Sequence, residues 1–152
     1  MAVDIEGILG AVVSHAMASG HFEKVNGHEP KAAPGKGLTA AVWVQAIAPV
    51  PRGSGLATTT GRIELRDRIY TPMVQEPQDA IDPAVLTATI DLMGAYSGDF
   101  TLDGRIRNVD LLGQAGVPLS AQAGYLNQDG RLFRVMDITL PLIVNDIWDQ
   151  AP

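Results

Sequence analysis

"YLNQDGRLFRVMDITLPLIVND", residues 125–146, decides the fold. Asp129-Gly130 is a turn dipeptide between two runs of strand-forming residues, so the stretch reads as a hairpin. Its second arm continues through Val135, Ile138, Leu140, Leu142 and Val144, well beyond the usual strand length. A long apolar strand needs a covering, and only residues 145–152 follow it. The cover must come from earlier elements or from other copies of the chain; the reading adopted is that copies supply part of it.

Upstream, "LTAAVWVQAIAPV", residues 38–50, is rich in β-branched and aromatic residues and apolar on both faces. "PRGSG", residues 51–55, makes a loop, and "LATTTGRIELRDRIY", residues 56–70, returns. In the return strand Ile63, Leu65 and Ile69 share one face while Arg62, Glu64, Arg66 and Arg68 share the other. The two runs predict a long hairpin. At the N-terminus Asp4 is an N-cap candidate for a helix whose Ile5, Ile8, Leu9, Val12 and Ala16 fall on one face, with Ser19-Gly20 ending it. Residues 21–37 show no periodicity and read as a connection. Asp82-Pro83 predicts a second helix, with Asp82 as N-cap, Pro83 at the first helical position and Val85, Ile90, Leu92 and Met93 on an apolar stripe ending near Gly98. A strand around residues 105–113 precedes the closing hairpin.

The order is helix, two strands, helix, three strands, without an alternating strand–helix rhythm. This predicts an α+β domain: two helices packed on a mixed, mainly antiparallel sheet with long hairpins. The 152 residues suit one domain, with residues 145–152 as a C-terminal extension, and show no repeat or low-complexity tract.

The formal net charge of −6 argues against general nucleic-acid binding, which depends on phosphate neutralisation by Lys and Arg. There is no cysteine, so disulfides and thiolate metal sites are excluded. The apolar N-terminal stretch has Asp4 and Glu6 where a signal peptide carries basic residues, and it is too interrupted to span a membrane. The expectation is a soluble protein without membrane contact.

Chemical motifs are sparse. His15, His21 and His28 lack the spacing of helical metal ligands, and no metal is expected. "PGKGL", residues 34–38, has Gly37 and Leu38 after Lys36 where a phosphate loop needs Ser or Thr and a helix. Ser54 follows Arg52 by two positions, in a hairpin loop, which is not a nucleophile elbow. The pairs Asp99/Asp103 and Asp146/Asp149 fall in turns or near the terminus, where solvated carboxylates are expected. No nucleophile, base and oxyanion donor converge, so the expectation is a non-enzyme without cofactor. The alternation Arg62, Glu64, Arg66, Arg68 is either a solvated sheet face or a wall toward a channel or partner. Its mixed signs fit specific contacts better than a grip on DNA.

Residues 111–152, residues 70–83 and the N-terminal amphipathic helix, in this element order, resemble the tail terminator proteins of long-tailed, non-contractile phages, particularly those of actinobacterial phages. The resemblance spans nearly the whole chain and carries no catalytic motif. It implies a virion protein, assembled in the host cytoplasm, that forms a homo-hexameric ring on the head-proximal end of the tail tube. Such a ring ends tube polymerisation and offers a docking surface to head completion or connector proteins. DNA passes through its lumen without specific binding, which an acidic chain suits. Interface candidates are Arg52, Arg62, Glu64, Arg66, Arg68 and Trp148. Loop 51–55 and the face at 62–68 are the candidates for the lumen. The alternatives are a head–tail connector or head completion protein, a tail tube protein, or a small ligand-binding module or enzyme.

Overall fold

In the computed structural model the described residues are 3–29, 37–51, 54–55, 57–73 and 78–150. Helix α1 covers Ile5–Ala18 and starts where the cap signal predicts. Asp4 Oδ1 accepts the Gly7 backbone N–H at 3.0 Å, satisfying one of the donors that a helix start leaves orphaned. Ile8, Val12 and Ala16 are buried along one stripe, and Gly20 at φ 76° turns the chain away.

The strands follow as β1 (Lys24–Asn26), β2 (Thr39–Val50), β3 (Thr58–Pro72), β4 (Asn108–Val109), β5 (Ser120–Gln128) and β6 (Arg131–Asp149). They form one mixed sheet in the order β1-β2-β3-β6-β4, with β5 also on β6. Among the described residues only the β1–β2 pair is parallel. This is the α+β architecture that the element order predicts. Within it β3 and β6 form the spine, paired from Pro72↔Phe133 to Thr58↔Asp149. The β5–β6 turn places Asp129 at φ 54° and Gly130 at φ 74°, the left-handed pair that a two-residue hairpin requires. Pro141 has no N–H to give, and it falls between the residues of β6 that pair with β5, which end at Thr139, and those that pair with β4, which begin at Leu142.

Both helices cover one face of the sheet. Ile63, Leu65 and Ile69 of β3 and Ile138, Leu140, Leu142 and Val144 of β6 pack with Ile8 and Val12 of α1 and with Val85, Leu92 and Tyr96 of α2 (Ile81–Gly98). Each large aliphatic side chain buried there contributes about 1.5–3 kcal/mol. So the helices cover the second half of the long strand. Its first half turns Phe133 and Val135 to the opposite face, where they join Ala41 and Tyr70 in a small second core flanked by Trp43 and Leu126.

Several expectations are corrected. The connection at 21–37 contains a strand, β1, three residues long and parallel to the start of β2. Helix α2 begins at Ile81, after a 3-10 turn at Gln78–Ala80, with Ala80 at its N-cap and no side-chain cap bond. Asp82 is therefore the second helical residue and Pro83 the third. The Asp82 carboxylate still suits the positive helix start, and Pro83 lacks an N–H that would be unpaired there anyway. Asp82 turns aside to Arg134, with Nε donating to Oδ1 at 3.0 Å. The buried stripe of α2 is Ile81, Val85, Ala88, Thr89, Leu92 and Tyr96, whereas Ile90 is 60% exposed. The strand expected over 105–113 shrinks to the two residues of β4. Residues 145–149 stay in the sheet rather than leaving it. The ladder slips opposite Thr60, where Asp146 takes φ 55° and accepts from the Thr58 hydroxyl, and β6 continues to Asp149.

Candidate interface surfaces

The sheet face away from the helices carries Arg62, Glu64, Arg66 and Arg68 at alternate positions of β3, as the pattern predicts. They are not freely solvated. Asp137, the cross-strand partner of Arg68 on β6, bridges two of them. Its Oδ1 accepts from Arg68 Nε at 2.5 Å, and its Oδ2 accepts from Arg68 Nη2 at 3.0 Å and from Arg66 Nη1 at 3.1 Å. The hydrogen bond to Asp137 raises the Arg68 guanidinium above its ordinary value, so the cation is held in place. Arg68 also lies over Trp43 and Tyr70, 5.3 and 5.9 Å from the ring centroids. Arg62 donates from Nη1 to the carbonyl of Ala115, which a loop anchored by Asp110 brings over it. There the Asp110 carboxylate accepts from the Gln114 and Ala115 N–H groups at 2.9 and 2.8 Å. Glu64 is half-buried, between Ala46 and Pro141 on the flanking strands.

Arg52 lies outside the described residues. Trp148 pairs with Thr59 at the far end of the β3–β6 ladder and is 40% exposed, with its ring near Gly61. A side chain at Gly61 would meet Ile147 at 2.8 Å, so glycine there lets the end of β6 close onto β3. The structure thus joins Arg66 and Arg68 through Asp137 and sets Arg62, Glu64 and Trp148 apart. Ser54 has a structural part: its hydroxyl donates to the Val50 carbonyl and accepts the Thr60 N–H at 3.1 Å, closing the β2–β3 loop.

Pairing leaves two edges open, on opposite sides of the sheet. On one side β1 covers β2 only at Thr39–Ala41, so from Val42 onward the outer edge of β2 has no paired strand among the described residues. Val44 and Ile47 on that stretch are 50% and 54% exposed. On the other side β5 pairs with β6 alone, and its outer edge has no paired strand among the described residues. An open groove runs between α2 and β6, lined by Pro83, Leu86 and Ile90 of the helix and by Arg134 and Met136 of the strand. Tyr125 of β5, stacked 4.5 Å from the Arg134 guanidinium, stands at the same end of the molecule.

Two polar clasps tie the helices together. His15 Nε2 meets Asp99 Oδ2 at 2.8 Å, and His21 Nε2 meets Asp91 Oδ2 at 2.7 Å. The N–H of Asp103 and then His15 hold the Asp99 carboxyl below its usual value. Beneath them the Tyr96 hydroxyl donates to Oδ2 of Asp67, a carboxyl buried in the main core. Sequence reading missed this pair. The signal was present, since Asp67 falls on the Ile63, Leu65, Ile69 face, but its partner is 29 residues away on another element. Asp137 was missed for the same reason.

Among the described residues, no cluster of three or more His, Asp or Glu side chains is placed to hold a metal, and no helix is long and apolar enough to cross a membrane. No family model matches the chain. No curated protein matches it either.

Proposed function

We propose that this chain is the subunit of a closed homo-hexameric ring, a tail terminator that caps the head-proximal end of a phage tail tube. In that role it ends tube polymerisation and gives head completion proteins their docking surface. The observation that carries the reading is the pair of open edges on opposite sides of one sheet, each beside exposed apolar side chains. Open edges are aggregation hazards unless something covers them. A ring of identical subunits needs two different complementary surfaces on every copy, and these edges supply two. The strand directions support the pairing. β5 runs antiparallel to β6 and therefore also to β2. A neighbour continuing the sheet in the same orientation presents β2 antiparallel to β5, and such pairs are slightly more stable than parallel ones.

The charged face of β3 fits this role because its two neighbouring cations are already paired within the chain. Arg66 and Arg68 are engaged by Asp137, and the chain is acidic overall. DNA sliding past such a surface meets few free cations to brake it.

The test mixes the purified protein with the subunits of its own tail tube as they polymerise. Short tubes, each with one end closed by a single ring in negative stain, support the proposal. Tubes of unchanged length, or stacked filaments of this protein alone, overturn it. Binding to the portal side of heads with no effect on tubes would favour the connector alternative.

A further inference from the structure

Asp67 lies on the helix-facing side of β3 between Leu65 and Ile69, and it is fully buried. Its cross-strand neighbours are Val42 of β2 and Ile138 of β6, so both flanking strands offer it only hydrocarbon. From α2 comes the Tyr96 hydroxyl, which bonds Oδ2. From α1 comes His15, whose ring stands perpendicular to that of Tyr96 with centroids 5.9 Å apart and is itself engaged by Asp99. Oδ1 of Asp67 has no hydrogen-bond partner among the described residues. Among the described residues Tyr96 is the one ionisable group bonded to the carboxyl, and it brings no positive charge. An ionised carboxylate in this position leaves a charged oxygen facing apolar neighbours, whereas the neutral acid leaves only a neutral one.

We infer that Asp67 is a proton-operated latch: as a neutral acid it keeps α2 seated on the sheet through Tyr96, and losing its proton favours the lifting of α2. Burial pushes the Asp67 carboxyl up to about 7 against the Tyr96 hydrogen bond, which pulls it down. Burial keeps the Tyr96 hydroxyl well above its ordinary value, so it remains protonated over the same range. Once α2 lifts, Asp67 meets water and returns toward its ordinary value of 3.8. Between these limits the open form has released a proton that the closed form still holds. Opening therefore becomes easier as pH rises, about tenfold per pH unit, and levels off above about 7 where both forms are ionised. Lifting α2 would also displace Leu86 and Ile90, which line the groove between α2 and β6.

The experiment follows hydrogen exchange of the α2 amides between pH 5 and 8, corrected for intrinsic exchange, in the wild type and in Asp67→Asn. The substitution keeps size and polarity and cannot ionise, while His15 and Asp99 are present in both proteins. The expected result is an opening constant that climbs about tenfold per unit to near pH 7 in the wild type and stays flat in Asp67→Asn. Parallel profiles in the two proteins would overturn the latch. Should Asp67→Asn fail to fold, the wild-type carboxyl can be titrated directly by carbon NMR. A midpoint near neutrality supports the inference, and one in the ordinary carboxylate range sinks it.

Discussion

Replacing Ile47 with lysine separates folding of the subunit from joining of subunits. Ile47 sits on the open edge of β2, opposite Ile63, and more than half of it is exposed at 54%. The single subunit should hardly notice the change, since substitutions at such positions usually stay within about 0.5 kcal/mol. At a junction between copies the isoleucine has roughly half of its side chain left to bury, worth about 0.8–1.6 kcal/mol of the 1.5–3 for full burial. The lysine forfeits that gain and adds the cost of desolvating an ammonium, and edge lysines are a known device against strand addition. Together these come to about 1.4 kcal/mol or more per junction, and each 1.4 kcal/mol is a tenfold change in the association constant. The assay is a dilution series read by mass photometry, beside urea unfolding of the dissociated protein. Met17→Lys, on an α1 residue 65% exposed and outside the sheet, serves as the control. Assembly of Ile47→Lys at the wild-type concentration would refute the reasoning that places the β2 edge in the junction.

Three further substitutions test the internal contacts. Asp4→Ala removes a cap that accepts from Gly7 and should cost about 1 kcal/mol of unfolding free energy. Asp82→Ala should cost less, below about 1 kcal/mol, because it breaks a bond to Arg134 from a side chain 71% exposed; a larger loss in urea melts would restore Asp82 as a cap. Asp137→Ala strips the shared acceptor from Arg66 and Arg68, whose side chains are 28% and 19% exposed. It should cost about 1.5–3 kcal/mol by chemical denaturation, and Asp137→Glu should recover part of that.

What could be read from sequence was what lies within a few residues of itself. The cap at Asp4, the stripe through Ile8 and Val12, the Asp129-Gly130 turn and the two faces of β3 are local patterns, and all are found. The start of α2 is misread from sequence because an Asp-Pro pair looks the same at the cap as two residues further in, and only the preceding 3-10 turn separates the two. Ile90 fits an apolar stripe by type, but the sheet meets a different side of the helix. β1 is too short to show a period and exists because β2 offers it an edge. The bridges from Asp137 to Arg66 and Arg68, and from Tyr96 to Asp67, span 71, 69 and 29 residues, beyond any window of pattern. The open edges belong to the same class, because a strand shows its composition in sequence and its missing neighbour only in the fold.

The two open edges are not level with each other. Following the ladders across the sheet, Gly124 in the middle of β5 aligns through Val135 and Tyr70 with Thr39, at the start of β2. The middle of the open stretch of β2, near Ala46, aligns instead with Glu64 and Pro141. That displaces one edge from the other by six rows, counted from Tyr70 to Glu64 along β3, or about 20 Å at the rise of a strand. Copies joined edge to edge without leaning would climb by that amount at each step and wind into a helix. For the chain to close on itself, every strand must tilt against the ring axis so that the climb is taken up as shear, as in a closed barrel. The unequal coverage of β2 and β5 would thus set the slant of the wall in the proposed ring.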